Sequence, residues 1–121
     1  GEDGTIQGLL RLANIPFVGS DVLGSAMVMD KDISKKLLRA DGLPVTDWVS
    51  YQDYERSSIV YQQIIEKLST PLFIKSANMG SSIGTRKVKN EDDFEEALDL
   101  TINWYKNNKE WIEKCVSFSS L

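Results

Sequence analysis

Apolar residues recur every three or four positions in five stretches of the chain, which is the spacing of helices with one buried face. These stretches cover residues 6–13, 22–29, 33–38, 60–68 and 94–105. End signals agree with the spacing: Gly42 and Pro44 stop the third helix, and Asn90 is a favourable first residue for the fifth. The pattern therefore predicts five helices.

Short runs rich in β-branched and aromatic residues predict strands between these helices. The runs are residues 15–18, 45–51, 71–75, 86–89 and 111–116. Residues 71–75 are so apolar that we predict a strand buried on both faces. Strands that alternate with helices indicate an α/β (α+β) fold.

The chain carries 14 basic and 18 acidic residues, a net charge of -4, which argues against a nucleic-acid-binding surface. Its dense basic stretch, Lys35, Lys36 and Arg39, is predicted to be a solvated helix face. The sequence shows no signal peptide and no apolar run near the roughly 20 residues that cross a bilayer. We therefore expect a cytoplasmic protein that binds neither nucleic acid nor membrane.

Histidine is absent and Cys115 is the single cysteine. This composition excludes an internal disulfide, most zinc sites, and hydrolysis by Ser-His-Asp or Cys-His groups. A metal would need oxygen ligands, which favours magnesium-type chemistry.

The strongest candidate for chemistry is Lys75 with the loop that follows it. A lysine at the end of a buried strand is costly unless its ammonium meets an anion, so we predict that it points into a ligand cleft. The loop, Gly-Ser-Ser-Ile-Gly-Thr at residues 80–85, offers turning backbone N–H groups and hydroxyl donors. Its spacing matches neither a Walker P-loop nor a dinucleotide fingerprint. The pattern leaves a phosphate-binding loop and a structural hairpin loop as alternatives.

Three weaker candidates each have a structural alternative. Lys31 could bind an anion or lie exposed at a helix start. Glu113 could accept a hydrogen bond from a ligand or face outward from a strand. Glu2 and Asp3 could hold an amine or stabilise the start of the following helix.

Six segments together are more specific than any one of them. In chain order they are GEDGTIQGLL, IPFVGS, MDK, GLPV, PLFIK and GSSIG. This series resembles the D-alanine–D-alanine ligase family, which has the ATP-grasp fold. The resemblance runs from Gly1 to about Val116, and the first and last segments are its most specific parts.

The resemblance implies a role for each matching residue. Glu2 would hold the amino group of the first D-alanine, and Lys31 and Lys75 would contact the ATP phosphates. The loop from Gly80 to Gly84 would close over those phosphates. Within it, Ser81 would also join the hydrogen bonds near the first substrate, and Ser82 would face phosphate.

The resemblance also implies an adenine pocket near the end of the chain. Glu113 would accept from the adenine amino group, and the backbones of Lys114 and Val116 would contact the ring edge. Cys115 would line the same pocket. No metal ligand is assigned to this chain, because the family's magnesium ligands are expected downstream.

The chain departs from the family at two places. Ser76 stands where members usually have proline, and residues 117–121 do not match the expected continuation. The sequence begins with glycine and not methionine, so we expect a fragment. It would comprise the end of an N-terminal domain (residues 1–29) and a truncated ATP-grasp central domain (residues 30–121). We expect this fragment to be inactive and marginally stable alone.

The implied reaction joins two D-alanine molecules for peptidoglycan synthesis through an acyl phosphate. It uses ATP and Mg²⁺, and the full-length protein is expected to be a homodimer. Two alternatives stay open. One is an ATP-grasp ligase with another second substrate, such as D-lactate, and the other is a non-catalytic nucleotide-binding fragment.

Overall fold

The computed structural model describes residues 2–80 and 84–108 of the chain. Five α-helices, one short 3-10 helix and two strands form in this part. In chain order they are α1 (Thr5–Leu12), α2 (Val22–Met29), α3 (Lys31–Ala40), the 3-10 helix (Asp53–Ser58), α4 (Tyr61–Leu68), β1 (Leu72–Ile74), β2 (Arg86–Val88) and α5 (Glu91–Asn107). The chain divides into two compact units.

The first unit contains the described residues of Gly1–Ile59 and Ser76–Ile83. In it α2 contacts both α1 and α3. Asp21 begins α2 by accepting a hydrogen bond from the Gly24 N–H at 2.8 Å. Gly4 begins α1 with φ 97°, and a Cβ there would lie 2.7 Å from the Val22 carbonyl oxygen. Glycine at position 4 therefore lets the start of α1 approach α2.

The second unit contains the described residues of Val60–Lys75 and Gly84–Leu121. Strands β1 and β2 form an antiparallel pair in which Phe73 lies opposite Lys87. Helix α5 contacts both strands and covers one face of the sheet. The buried apolar side chains of this unit are Tyr61, Ile64, Leu72, Val88, Phe94 and Ala97. The opposite, open face of the sheet carries Phe73, which is 56% exposed.

All five predicted helices are confirmed. The strands predicted at 71–75 and 86–89 are also found, as the shorter strands Leu72–Ile74 and Arg86–Val88. The prediction that the first of these strands is buried on both faces is wrong. A two-stranded sheet has two faces, and α5 covers only one of them in the described structure. Alternation along β1 therefore buries Leu72 and leaves Phe73 exposed.

The strands predicted at residues 15–18 and 45–51 are absent from the described structure, which is a second correction. Side-chain contacts to α3 hold the latter segment in place of strand pairing: Lys35 donates to Thr46, and Arg39 pairs with Asp47 at 2.7 Å. The sequence did not predict the 3-10 helix, whose start is closed by reciprocal hydrogen bonds between Gln52 and Glu55. The strand predicted at 111–116 lies outside the described residues.

The boundary predicted between residues 29 and 30 stays a prediction, and the compact units divide the chain elsewhere, first after Ile59. Among the helices in the described ranges, none combines the length and apolar character that spanning a bilayer requires.

Candidate functional site

The stem of the glycine-serine loop, residues 77–80, is held by Lys31 within the first unit. The Lys31 ammonium donates to the Met79 carbonyl at 2.7 Å and to the Ala77 carbonyl at 3.3 Å. The Lys31 backbone N–H donates to the same Ala77 carbonyl at 3.1 Å. Three hydrogen bonds from one residue thus end on two carbonyls of the loop stem.

Local sequence explains why Lys31 stands at this place. Asp30 closes the start of α3, because its carboxylate accepts from the N–H groups of Asp32 and Ile33 at 2.9 and 3.0 Å. The N–H of Lys31, the first helical residue, has no partner inside the helix. The Ala77 carbonyl supplies that partner, and the ammonium of the same residue then reaches the neighbouring carbonyl of Met79.

Gly80 ends the loop stem and lies against Glu2. A Cβ on Gly80 would be 2.5 Å from the Glu2 Oε2 atom and 3.7 Å from the Met29 Cε atom. No side chain fits there unless the carboxylate moves. Glycine at position 80 therefore brings the loop backbone beside the Glu2 carboxylate.

Lys75 and Gly84 belong to the second unit. Lys75 is exposed, and its Nζ lies 6.0 Å from the centre of the Phe73 ring. Alternation places Lys75 after Phe73 on the open face of the sheet, and the prediction that it points into a ligand cleft stays a prediction. Its contact with phosphate stays a prediction. Gly84 is exposed with φ 72°, a conformation that favours glycine.

A cluster around Trp48 supports the start of α3. The Trp48 Nε1–H donates to Asp32 at 2.8 Å, and Lys36 pairs with the same carboxylate at 2.6 Å. These two donors, Lys36 first, hold the pKa of Asp32 below its ordinary value of 3.8. The Arg39 guanidinium lies 4.5 Å from the Trp48 ring centre. Sequence reasoning missed this cluster, although the i,i+4 spacing of Asp32 and Lys36 was a signal for part of it.

The structure brings Glu2, Lys31 and Gly80 together in one unit. Lys75 and Gly84 are described in the second unit. The remaining predicted site residues lie outside the described part of the chain: Ser81, Ser82, Glu113, Lys114, Cys115 and Val116. Within the described ranges, no three acidic or cysteine side chains gather into a group that could hold a metal ion.

Comparison with known proteins identifies the family. The family model described as D-ala D-ala ligase C-terminus matches residues 37–121. A D-alanine–D-alanine ligase of Oceanobacillus iheyensis is 54% identical over 98 residues, which are 81% of this chain and 27% of that protein. The D-alanine–D-alanine ligase of Blochmanniella floridana is 45% identical over 97% of this chain and 32% of its own length.

Solved structures show the same relationship. The Coxiella burnetii D-alanine–D-alanine ligase has a TM-score of 0.78 and 42% identity over 86% of this chain and 31% of that protein. The Bacillus anthracis ligase complexed with ATP has a TM-score of 0.71 and 36% identity over 86% of this chain and 33% of that protein. The VanG D-Ala:D-Ser ligase of Enterococcus faecalis has a TM-score of 0.73 and 41% identity over 83% of this chain and 29% of that protein.

The chain thus spans about a third or less of the length of these relatives, from 27% to 33%. The matches nevertheless cover most residues of this chain, both in sequence and in three-dimensional structure. On this evidence the chain belongs to the D-alanine–D-alanine ligase family.

Proposed function

We propose that this chain supplies part of the ATP- and D-alanine-binding machinery of an ATP-dependent D-alanine–D-alanine ligase of peptidoglycan synthesis. The observation that carries the proposal is the gathering of Lys31, Glu2 and the stem of the glycine-serine loop. A cation and a carboxylate beside one loop stem suit a reaction between an anionic nucleotide and an amino acid. The related Bacillus anthracis ligase has been solved with ATP.

The residues near the stem take distinct roles in this proposal. The Glu2 carboxylate holds the ammonium of the first D-alanine, and its place beside Gly80 leaves that group next to the loop. The Lys31 ammonium has three N–H donors, of which two reach carbonyls, so one can meet a phosphate oxygen. Lys75 adds a second phosphate contact from the exposed end of β1. These donors fit the anionic phosphates of ATP.

The remaining assignments follow from the family. Ser81 and Ser82 contact substrate and phosphate, and Glu113, Lys114, Cys115 and Val116 line the adenine pocket. Residues 1–29 belong to the ligase's N-terminal domain and residues 30–121 to its central domain. Magnesium, when bound, neutralises phosphate charge, and we assign it no ligand in this chain. The proposal includes a homodimer in the cytoplasm.

The reaction has two steps. A carboxylate oxygen of the first D-alanine attacks the γ-phosphorus of ATP, which forms an acyl phosphate and releases ADP. The amine of the second D-alanine then attacks the acyl carbon, loses a proton and expels inorganic phosphate. The chain's part in both steps is to orient substrates and to stabilise charge.

A chimeric enzyme tests this function. The matching 31% of the Coxiella burnetii ligase is replaced by this chain, and D-alanine-dependent phosphate release is measured. Glu2→Gln removes the charge that holds the substrate ammonium, so the KM for D-alanine should rise about 10- to 150-fold, as expected for one lost charge-assisted hydrogen bond.

The matched control is Glu95→Gln on the exposed surface of α5, which should leave the KM unchanged. An active chimera whose KM is insensitive to Glu2→Gln would contradict the role of Glu2. A folded chimera without D-alanine-dependent turnover would contradict the proposed function.

A further inference from the structure

Lys31 contacts the loop stem across 46 to 48 positions of sequence. The Ala77 carbonyl accepts from both the backbone N–H and the ammonium of Lys31, and Met79 accepts from the ammonium alone. The contact to Met79 is the shortest of the three and is partly buried.

We propose that Lys31 is a positioning residue that docks the loop stem onto the start of α3 before nucleotide binds. Its remaining ammonium donor then reaches a phosphate of ATP, and this second half rests on the proposed function. Docking by Lys31 also sets where Gly80 meets Glu2, so one lysine fixes the loop relative to both substrates.

The physical basis is the difference between a free and a held lysine side chain. A free lysine must lose rotamer freedom when it binds a ligand. Lys31 is half-buried and already tied by two carbonyls, so much of that ordering precedes binding. Removing the ammonium leaves the Met79 carbonyl without this donor and the stem with one main-chain hydrogen bond to α3.

Amide hydrogen exchange at position 31 reports the docking directly. The backbone N–H of this residue bonds to Ala77 only while the stem is docked. In Lys31→Met the N–H remains but the ammonium is gone. Without nucleotide, its exchange, corrected for the intrinsic rates of the two residues, should become about 10- to 150-fold faster, as expected when a charge-assisted hydrogen bond is lost. Lys67→Met, at an exposed position of α4 in the second unit, should leave the rate unchanged.

ATP titration of the chimeric ligase with the same substitutions separates positioning from two simpler roles. Lys31→Met should weaken ATP binding by roughly tenfold or more, while amide exchange in α5 stays as in the parent chain. Faster exchange with unchanged ATP affinity would make Lys31 merely structural. Weaker ATP binding with unchanged exchange would make it only a phosphate ligand. Either result overturns the proposal.

A second measurement needs no variant and covers the case in which Lys31→Met fails to fold. In the nucleotide-free parent chain, the ammonium protons of Lys31 should exchange more slowly than those of the exposed Lys67. Equal rates would overturn the docking. If the chimeric ligase binds no ATP at all, the proposed function fails, while the exchange rates in the chain still decide whether Lys31 docks the stem.

Discussion

The loop stem and the open face of the sheet each present a lysine, and the two lysines are held in different ways. Lys31 donates to two backbone carbonyls, at 2.7 and 3.3 Å, and is half-buried. Lys75 is exposed and lies 6.0 Å from the centre of the Phe73 ring. Both are expected to contact phosphate, but only Lys31 is fixed by the main chain in the contacts described.

The ammonium group of a lysine can thus be positioned by backbone carbonyls in the folded protein, or it can become ordered only when a ligand binds. A lysine side chain carries up to about 2 kcal/mol of rotamer entropy, which is lost when it is ordered. Lys31 has lost part of that freedom on folding, whereas Lys75 would lose it on binding. Variants of the two regions should therefore differ in whether they change the ligand-free protein.

The largest expected effect concerns the two faces of the sheet. Phe94 on α5 is 3% exposed and its ring centre lies 5.3 Å from that of Tyr61. Phe94→Ala should lower the free energy of unfolding by about 3–5 kcal/mol, measured by urea denaturation followed by circular dichroism. Phe73→Ala on the open face should cost less than about 1 kcal/mol. Equal costs would mean that both faces are covered.

The next effect sharpens the comparison of the lysines. In the chimeric ligase, Lys75→Met should weaken ATP binding by roughly 10- to 150-fold, because one charge-assisted contact is lost. Amide exchange in the ligand-free loop stem should stay unchanged, unlike in Lys31→Met. Lys89→Met, further along the chain from the loop, is the control and should bind ATP like the parent in the same titration. If Lys75→Met also bound like the parent, Lys75 would be a surface lysine.

A smaller effect should follow from adding one methyl group to the stem. The Cβ of Gly80→Ala would meet the Glu2 carboxylate at 2.5 Å and displace it. In the chimeric ligase the KM for D-alanine should rise by about tenfold, the effect of a charge-assisted contact at the weak end of its range. Gly8→Ala in α1, where the nearest atom is 4.0 Å away, is the matched control. An unchanged KM in both variants would show that the absence of a side chain at Gly80 does not affect D-alanine binding.

The smallest effect is a pH dependence at the start of α3. Hydrogen bonds from Lys36 and Trp48 hold the pKa of Asp32 below 3.8. A lowered pKa means that this carboxylate stabilises the fold above about pH 4 and ceases to do so as the pH falls through the lowered pKa. The partly exposed cluster should contribute no more than about 1 kcal/mol.

The Trp48 indole N–H resonance, followed from pH 7 to pH 2, measures this loss. Asp32→Asn should abolish the titration of that resonance, because the amide does not ionise in this range. A resonance that titrates equally in both proteins would show that another group is responsible.

Periodicity and end signals sufficed for the helices, because each depends on residues close in sequence. Asp30 and Asn90, for example, hydrogen-bond to N–H groups two or three residues later. The predicted strand at 45–51 failed because strand propensity does not supply a partner strand, and Lys35 and Arg39 hold that segment instead.

The candidate site was predictable in its residues and not in its geometry. The family resemblance singled out Glu2, Lys31 and Gly80. The acceptors of Lys31 could not be predicted, because every residue has a backbone carbonyl and the sequence does not show which of them lie near the lysine. The strand before Lys75 was wrongly predicted to be buried on both faces, because an apolar run does not reveal how many faces of a sheet are covered.

The division of the chain into units has a consequence for the order of folding. The chain leaves the first unit after Ile59 and returns to it at Ser76, having formed α4 and β1 in between. A nascent chain that ended at Ile59 would contain Lys31 but neither carbonyl that the lysine holds. The first unit therefore reaches its final contacts only after part of the second has been synthesised, and no single cut of the chain separates the two.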